Sequence, residues 1–337
     1  MVIIVDAFGG DNAPVEILKG CAMAVEDFGI SIIVTGDESI IKKEAEKNNI
    51  NLKNIKIVNS SSVLPVCEEP TQILKKYSDS SMAVGLNLLA NGEGDAFISA
   101  GSSGGLVVGA SLIVKRLKGI KRAAIATLIP SSKGRYMLID SGANHDCRPE
   151  MLAQFAMMGH VYMEKVLNVH KPKVGILNIG VEENKGTQLQ KESCQLLRSM
   201  NINFIGNIEA RDVPQQVADV VVTDGFVGNV LLKYTEGLAK FFMSEIKNVF
   251  TSNIITKLAS VMVFSKFKSL KNKMDYTEQG GAILLGIKKP VIKAHGSSNA
   301  KAIKSAIKQA KSIVENKTVD ALSYALKEYI KQNENKN

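Results

Sequence analysis

Short, continuously apolar runs alternate along the chain with longer segments whose apolar residues recur at helical spacing. VIIV at Val2–Val5, SIIV within Ser31–Thr35 and DVVV ahead of Thr223 carry no polar alternation, the pattern of strands covered on both faces. Strands are predicted over Val2–Val5, Ser31–Thr35, Ile55–Val58, Ala96–Ser99, Ala123–Leu128, Met137–Asp140, Lys173–Ile179, Asn203–Gly206 and Val220–Thr223. Helices are predicted between most of them, among them Ala13–Phe28, Asp37–Asn48, Pro149–Leu167 and Thr187–Met200. This alternation predicts an α/β fold with a mainly parallel sheet between two layers of helices. Leu238–Gln279 holds neither Gly nor Pro and is expected to be helical, with a break near Thr251–Asn253 where N-cap residues gather. The expected organisation is one α/β/α domain over 1–330, a helical protrusion at about 238–275 within it, and a frayed tail over 331–337.

In open α/β sheets, ligands bind beyond the carboxyl ends of the strands, and here those ends are rich in small residues. DAFGGDNAP follows the first strand with Asp6, Gly9, Gly10 and Asp11. SAGSSGG begins at Ser99, DSGANHD at Asp140, NIGVEENKGT at Asn178, TDGFVGN at Thr223 and KAHGSSNAKAI at Lys293. Backbone N–H groups at helix N-termini attract anions, and glycine lets an anion come close, so phosphate or a phosphorylated ligand is expected. The nucleotide fingerprints are incomplete. G-x-G-x-x-G is missing after the first strand, and in GVEENKGT Lys185 precedes Gly186 where a P-loop has Gly and then Lys. Gly101, Ser103 and Gly105 do fit the G-x-S-x-G nucleophile elbow, and Asp140 or Asp224 followed by His295 would complete a hydrolase. An elbow stands alone in its fold, whereas this loop has several siblings without a nucleophile. The anion-cradle reading is therefore preferred.

Composition changes this picture little. With 45% apolar and 22% charged residues the chain is that of a folded protein, and the absence of Trp makes the core aliphatic. An excess of 42 basic over 33 acidic residues suits an acidic partner: nucleic acid, an anionic membrane or an acidic carrier protein. Cys21, Cys67, Cys147 and Cys194 lack metal-site spacing and read as reduced, mostly buried thiols; Cys147 beside GANHD is read as a buried thiol rather than an acyl acceptor. MVIIVDAFGGD has no basic n-region, so a cytoplasmic location is expected.

Taken in order, VDAFGGDNAP, DSGANHDCRPEMLAQFAMMG, LNIGVEENKG, VVTDGFVGNVLLKYTEG, EQGGAILLG and HGSS resemble the phosphate acyltransferases of bacterial phospholipid synthesis (the PlsX family). The chain departs from that family at Ser102-Ser103, where Asn-Thr is usual, at Phe8, where Met is usual, and in the more basic GIKKPVIKAHG. The resemblance implies a fold similar to isopropylmalate dehydrogenase and phosphotransacetylase and a homodimer. It implies transfer of a long-chain acyl group from acyl carrier protein to inorganic phosphate, giving acyl phosphate for phosphatidic acid synthesis. A membrane glycerol-3-phosphate acyltransferase is the implied next partner; no cofactor, metal or nucleic acid is expected. Two alternatives stay open: a metal-dependent β-decarboxylating NAD dehydrogenase of the same fold, and a non-catalytic anion- or membrane-binding protein.

The implied chemistry suits glycine loops. Phosphate is already an anionic nucleophile, and a thiol with a pKa of about 8.5 leaves readily, so the protein must supply position and oxyanion stabilisation. Ser99, Gly101, Ser103 and Gly104 are expected to hold phosphate together with Lys185. Asp224, Gly225 and Asn229 at a helix start are assigned to the acyl or oxyanion site, and Asn144 and His295 to orienting the carbonyl or assisting the proton. Lys185, Asp224, Asn229 and His295 are thus the candidate catalytic set, with Asp6, Gly9 and Gly10 as substrate-side residues and Asp6 and Asp11 fixing the first loop.

A last segment points elsewhere. Thr251–Met274 combines Ile254, Ile255, Leu258, Val261, Met262 and Phe264 with Lys257, Lys266, Lys268, Lys271 and Lys273, and holds no acidic residue before Asp275. It is either a dimer-interface helix or a helix lying on an anionic bilayer at the inner face of the cell membrane, with Leu258, Val261, Met262, Lys266 and Lys268 in contact. On the second reading the protein sediments with anionic but not zwitterionic vesicles, high salt releases it, and Leu258→Glu with Val261→Glu abolishes binding. If those changes split a dimer and spare vesicle binding, the segment is an interface helix.

Overall fold

All nine predicted strands form, and they join two short ones in a single sheet. The computed structural model describes residues 1–257, 260, 263, 266 and 280–334. Its strands are β1 Val2–Asp6, β2 Ser31–Gly36, β3 Ile55–Asn59, β4 Ala96–Ser99, β5 Ala124–Ser131, β6 Gly134–Ile139, β7 Lys173–Asn178, β8 Asn203–Glu209, β9 Val220–Val222, β10 Ala282–Leu285 and β11 Val291–Lys293. Its helices are α1 Val15–Phe28, α2 Glu38–Lys47, α3 Ser81–Ala90, α4 Ser103–Gly109, α5 Pro149–Lys165, α6 Gln188–Arg198, α7 Gly225–Thr251, α8 Ala300–Glu315 and α9 Thr318–Glu334. A π-helical turn continues α4 to Lys115.

Successive strand residues enter different cores, which is why the strands are apolar throughout. Ile3, Val5, Ile32 and Val34 lie in one core with α1, α5 and α8, while Ile4, Ile33 and Phe97 lie in another with α3 and α4. Each such side chain contributes about 1.5–3 kcal/mol on burial. Helices thus cover both faces, as expected of a three-layer α/β/α fold.

The strand order is β3-β2-β1-β4-β11-β10-β5-β6-β9-β7-β8. The five strands from β3 to β11 are parallel to one another, and so are β6, β9, β7 and β8. Between them β10 is antiparallel to both β11 and β5, and β5 is antiparallel to β6. The two parallel halves therefore run in opposite directions. Loops expected to converge at one end of the sheet divide into two groups.

The long helix begins at Gly225 and ends at Thr251, and Ser252 and Asn253 bend the chain before Ile254–Lys257 turns helical again. One face of α7 is apolar and exposed, with Phe226, Val230, Tyr234 and Phe241 each more than half accessible. Lys266 is exposed, whereas Leu258, Val261, Met262 and Lys268 lie outside the described residues. Among the described residues no helix is long and apolar enough to cross a membrane. At the other end, α9 reaches Glu334 and so takes in four residues of the tail expected to fray; nothing in KQNE breaks a helix.

Candidate active site

The loops after β1, β4 and β11, neighbours in the sheet, interlock. Asp6 is buried; its carboxylate accepts from Ser99 Oγ at 2.7 Å and from the Phe8 amide at 3.1 Å. Burial pushes the Asp6 carboxyl above its usual range, against these hydrogen bonds. Ser99 Oγ in turn accepts from the Gly101 amide at 3.0 Å. A Cβ on Gly9 would lie 2.6 Å from the Gly101 nitrogen, so glycine here lets backbone meet backbone. Gly10, at φ +94°, and Asp11 close onto the β11 loop, where the Asp11 amide donates to the Gly296 carbonyl at 2.8 Å. Asp6 thus ties the first loop to the β4 loop through its side chain, while Asp11 contributes only its backbone amide.

Ser102 occupies the N-cap of α4, its Oγ accepting from the Gly105 amide at 3.3 Å. Asparagine is an equally good cap, so the Ser102 departure preserves this role. Ser103, one residue on, is exposed. Gly104 is small because Pro70 lies above it, 2.7 Å from where a Cβ would sit. The first-turn amides of Ser103 and Gly104 have no carbonyl to bond within the helix.

The loops after β6 and β9 form the second group, tied around Asp140. This fully buried carboxylate accepts from the amides of Ile125, Gly142, Ala143 and Asn144 and from Asn144 Nδ2, at 2.7–3.2 Å. Asn144 Nδ2 also donates to the Ala123 carbonyl at 2.7 Å, so the Asn144 amide holds the loop rather than facing a ligand. The Gly225 amide donates to the Asn144 carbonyl at 2.6 Å, and a Cβ on Gly228 would fall 1.9 Å from the Asp140 carbonyl oxygen. Asp224 caps α7 through the amides of Phe226 and Val227 at 3.0 and 2.9 Å. With both aspartates engaged by backbone amides, neither supplies the acid of a Ser–His–acid relay.

Between the groups lies a cavity of roughly 370 Å³. Ser103, Lys293, His295 and Gly296 form one wall, and Thr127, Ser141, Gly142 and the α7 residues Asn229, Lys233 and Glu236 form the other. His295 Nδ1 accepts from the Ser297 amide at 3.2 Å, which puts the proton of the neutral ring on Nε2. Burial holds this imidazole below its usual value; Lys233, Lys293 and Lys240 act the same way against Glu236, so it is neutral at pH 7. Glu236 is buried and paired with Lys233 at 2.9 Å. A second cavity of roughly 390 Å³ shares Ser103, Lys293 and Gly296, and extends to Asp6, Gly9, Gly10, Asp11 and the apolar Phe8, Val63, Leu64, Val66 and Met82.

Lys293, Lys233, Glu236, Thr127 and Ser141 were not singled out by the sequence reading. Lys293 ends a three-residue strand in the basic stretch GIKKPVIKAHG. Lys185 is exposed on the loop after β7, two places from β6 in the sheet order, and it lines neither cavity. Cys67 is exposed rather than buried, and Cys147 is half-buried with its thiol pushed up to about 12 by burial and by Asp140 and Asp224, so it stays a protonated, poor nucleophile.

The profile of the family described as "Fatty acid synthesis protein" matches residues 1–320. A phosphate acyltransferase from Thermoanaerobacterium thermosaccharolyticum is 47% identical over 328 residues, covering 97% of this chain and 96% of that protein. One from Clostridium botulinum (strain Langeland) is 45% identical over 334 residues, 99% of this chain and 100% of its own length. Among solved structures, a phosphotransacetylase from Streptococcus pyogenes superposes with a TM-score of 0.64 at 17% identity, covering 93% of this chain and 94% of its own, a likeness of fold alone.

Proposed function

Because this chain belongs to the fatty acid synthesis protein family, and so is an acyltransferase acting on phosphate, we propose that its donor is a long-chain acyl thioester of acyl carrier protein and its product acyl phosphate. The observation that carries this reading is the content of the cavity. It gathers a hydroxyl (Ser103), an ammonium (Lys293) and a neutral imidazole (His295), all groups that bind anions, and the hydroxyl that meets His295 Nδ1 at 2.9 Å is that of Ser297. An oxygen of hydrogen phosphate bonds to the thioester carbonyl carbon, the carbon–sulfur bond breaks with its electron pair going to sulfur, and the proton of the phosphate ends on the thiol. No external acid is consumed. Preorganised donors at the developing oxyanion are then the main source of acceleration, and His295 Nε2–H and Asn229 are assigned that role. Ser99 and Gly101 shape the phosphate loop that presents Ser103; Asp224 and Gly225 hold α7 against the Asp140 loop so that Asn229 faces the cavity. The exposed apolar face of α7 supports a homodimer. The vesicle and dimer measurements on the Leu258→Glu, Val261→Glu variant test that and the peripheral membrane location together.

Purified protein is expected to consume acyl-carrier thioester only when phosphate is present and to release acyl phosphate without nucleotide. Thioester loss at the same rate without phosphate would make it a hydrolase. In the same assay Ser103→Ala removes one hydrogen bond to a charged group, worth about 1.5–3 kcal/mol. It should raise the KM for phosphate roughly ten- to hundredfold while activity survives at high phosphate. An acyl group found on Ser103 by mass spectrometry would reinstate the nucleophile elbow.

A further inference from the structure

We propose that Lys293 is the cation that binds the attacking phosphate, holding it on the His295 side of the wall between the two cavities while the thioester approaches from the Val66 side. This rests on the acyl-transfer reading for the identity of the thioester, but not for the binding of phosphate. The ammonium is anchored by two backbone carbonyls, Ala100 at 3.1 Å and Ala294 at 2.5 Å. Ammonium has three donors, so one N–H remains for a ligand. Ala100 belongs to the loop that presents Ser103, so the cation and the hydroxyl are fixed to one piece of backbone.

No carboxylate forms an ion pair with Lys293 among the described residues. A half-buried cation without an ion-pair partner has lost part of its solvent, a cost that an arriving opposite charge offsets. Phosphate supplies that charge. The groups facing Lys293 decide the side. Asp6 and Asp11 lie along the second cavity, where two acidic side chains and the apolar Phe8, Leu64, Val66 and Met82 disfavour a phosphate dianion but accept a thioester. Lys233, paired with Glu236, and neutral His295 lie along the first.

The test uses the full-length protein and inorganic phosphate. Lys293→Met and, as a second variant, Lys293→Gln are titrated with phosphate by calorimetry without acyl donor, then assayed with acyl-carrier thioester. Phosphate affinity is expected to fall roughly ten- to hundredfold, the range of a lost hydrogen bond to a charged group, with a matching rise in the KM for phosphate and little change in the KM for the thioester. Unchanged phosphate affinity in a folded variant overturns the proposal, as does an effect confined to the thioester. If the unsubstituted protein binds phosphate through Lys293 but never transfers an acyl group to it, the site stands and the acyl-transfer reading fails.

Discussion

Asp140→Ala is expected to leave the chain without a stable fold. Four backbone amides and one side-chain amide donate to this one buried carboxylate, the Ile125 bond fully buried and the other four partly so, and a buried donor left unmade costs about 1–3 kcal/mol. Even the low end of that range, over five donors, is of the order of the about 5–15 kcal/mol that holds a typical domain together. The same loop seats α7, because Gly228 packs on the Asp140 carbonyl and Gly225 bonds to Asn144. Circular dichroism and a thermal melt read the outcome. A folded Asp140→Ala protein with an unshifted melting midpoint would mean that water takes over the five donors, and the knot would lose the structural weight assigned to it.

The second large effect concerns pH. Burial, and after it the Lys233 ammonium, hold Lys293 down to about 8, with Asp6 and Asp11 acting the other way. A lysine is charged below its pKa and neutral above it, so the phosphate-binding charge is present at pH 7 and fades through about pH 8. Expressed as the concentration of the hydrogen phosphate dianion, the KM should be flat below that point and rise about tenfold per pH unit above it, because binding then requires one proton to be taken up. Lys293→Arg, which stays charged throughout, should abolish the rise whatever its absolute affinity. The sign for stability is opposite. The ordinary lysine value of 10.5 applies to the unfolded chain, which holds the proton longer, so phosphate-free protein should become more stable between about pH 8 and 10.5. A KM that is level from pH 7 to 9.5 in the unsubstituted protein would remove Lys293 from phosphate binding.

Much of the architecture was legible because burial on both faces writes itself into composition: Ile3 and Ile4 must both be apolar when each enters a different core. What escaped was short or directional. Ala282–Leu285 and Val291–Lys293 have no helix between them, so the alternation of strand and helix does not mark them, yet they occupy the middle of the sheet. Their antiparallel pairing reverses one half of the sheet against the other, and alternation of strand and helix carries no sign of that reversal. The glycines read as an anion cradle also have a packing reason to be small. Gly9, Gly104 and Gly225 are small because Gly101, Pro70 and Asn144 press against them. Among the loop lysines, Lys185 has the more suggestive motif, while Lys293 is the one that lines both cavities, and which loops share a cavity is not written in local sequence.

The length of α7 has a last consequence. Eighteen residues separate Lys233, in the cavity wall, from Thr251 at the helix end, about 27 Å at 1.5 Å per residue. If the tip beyond Thr251 meets a bilayer, the bond is made a helix length away from it, and the product has a journey to complete. A free hydrocarbon tail would make that journey at about 0.8 kcal/mol per methylene exposed to water. Tyr234, Leu238, Phe241 and Phe242 line the route with accessible apolar surface.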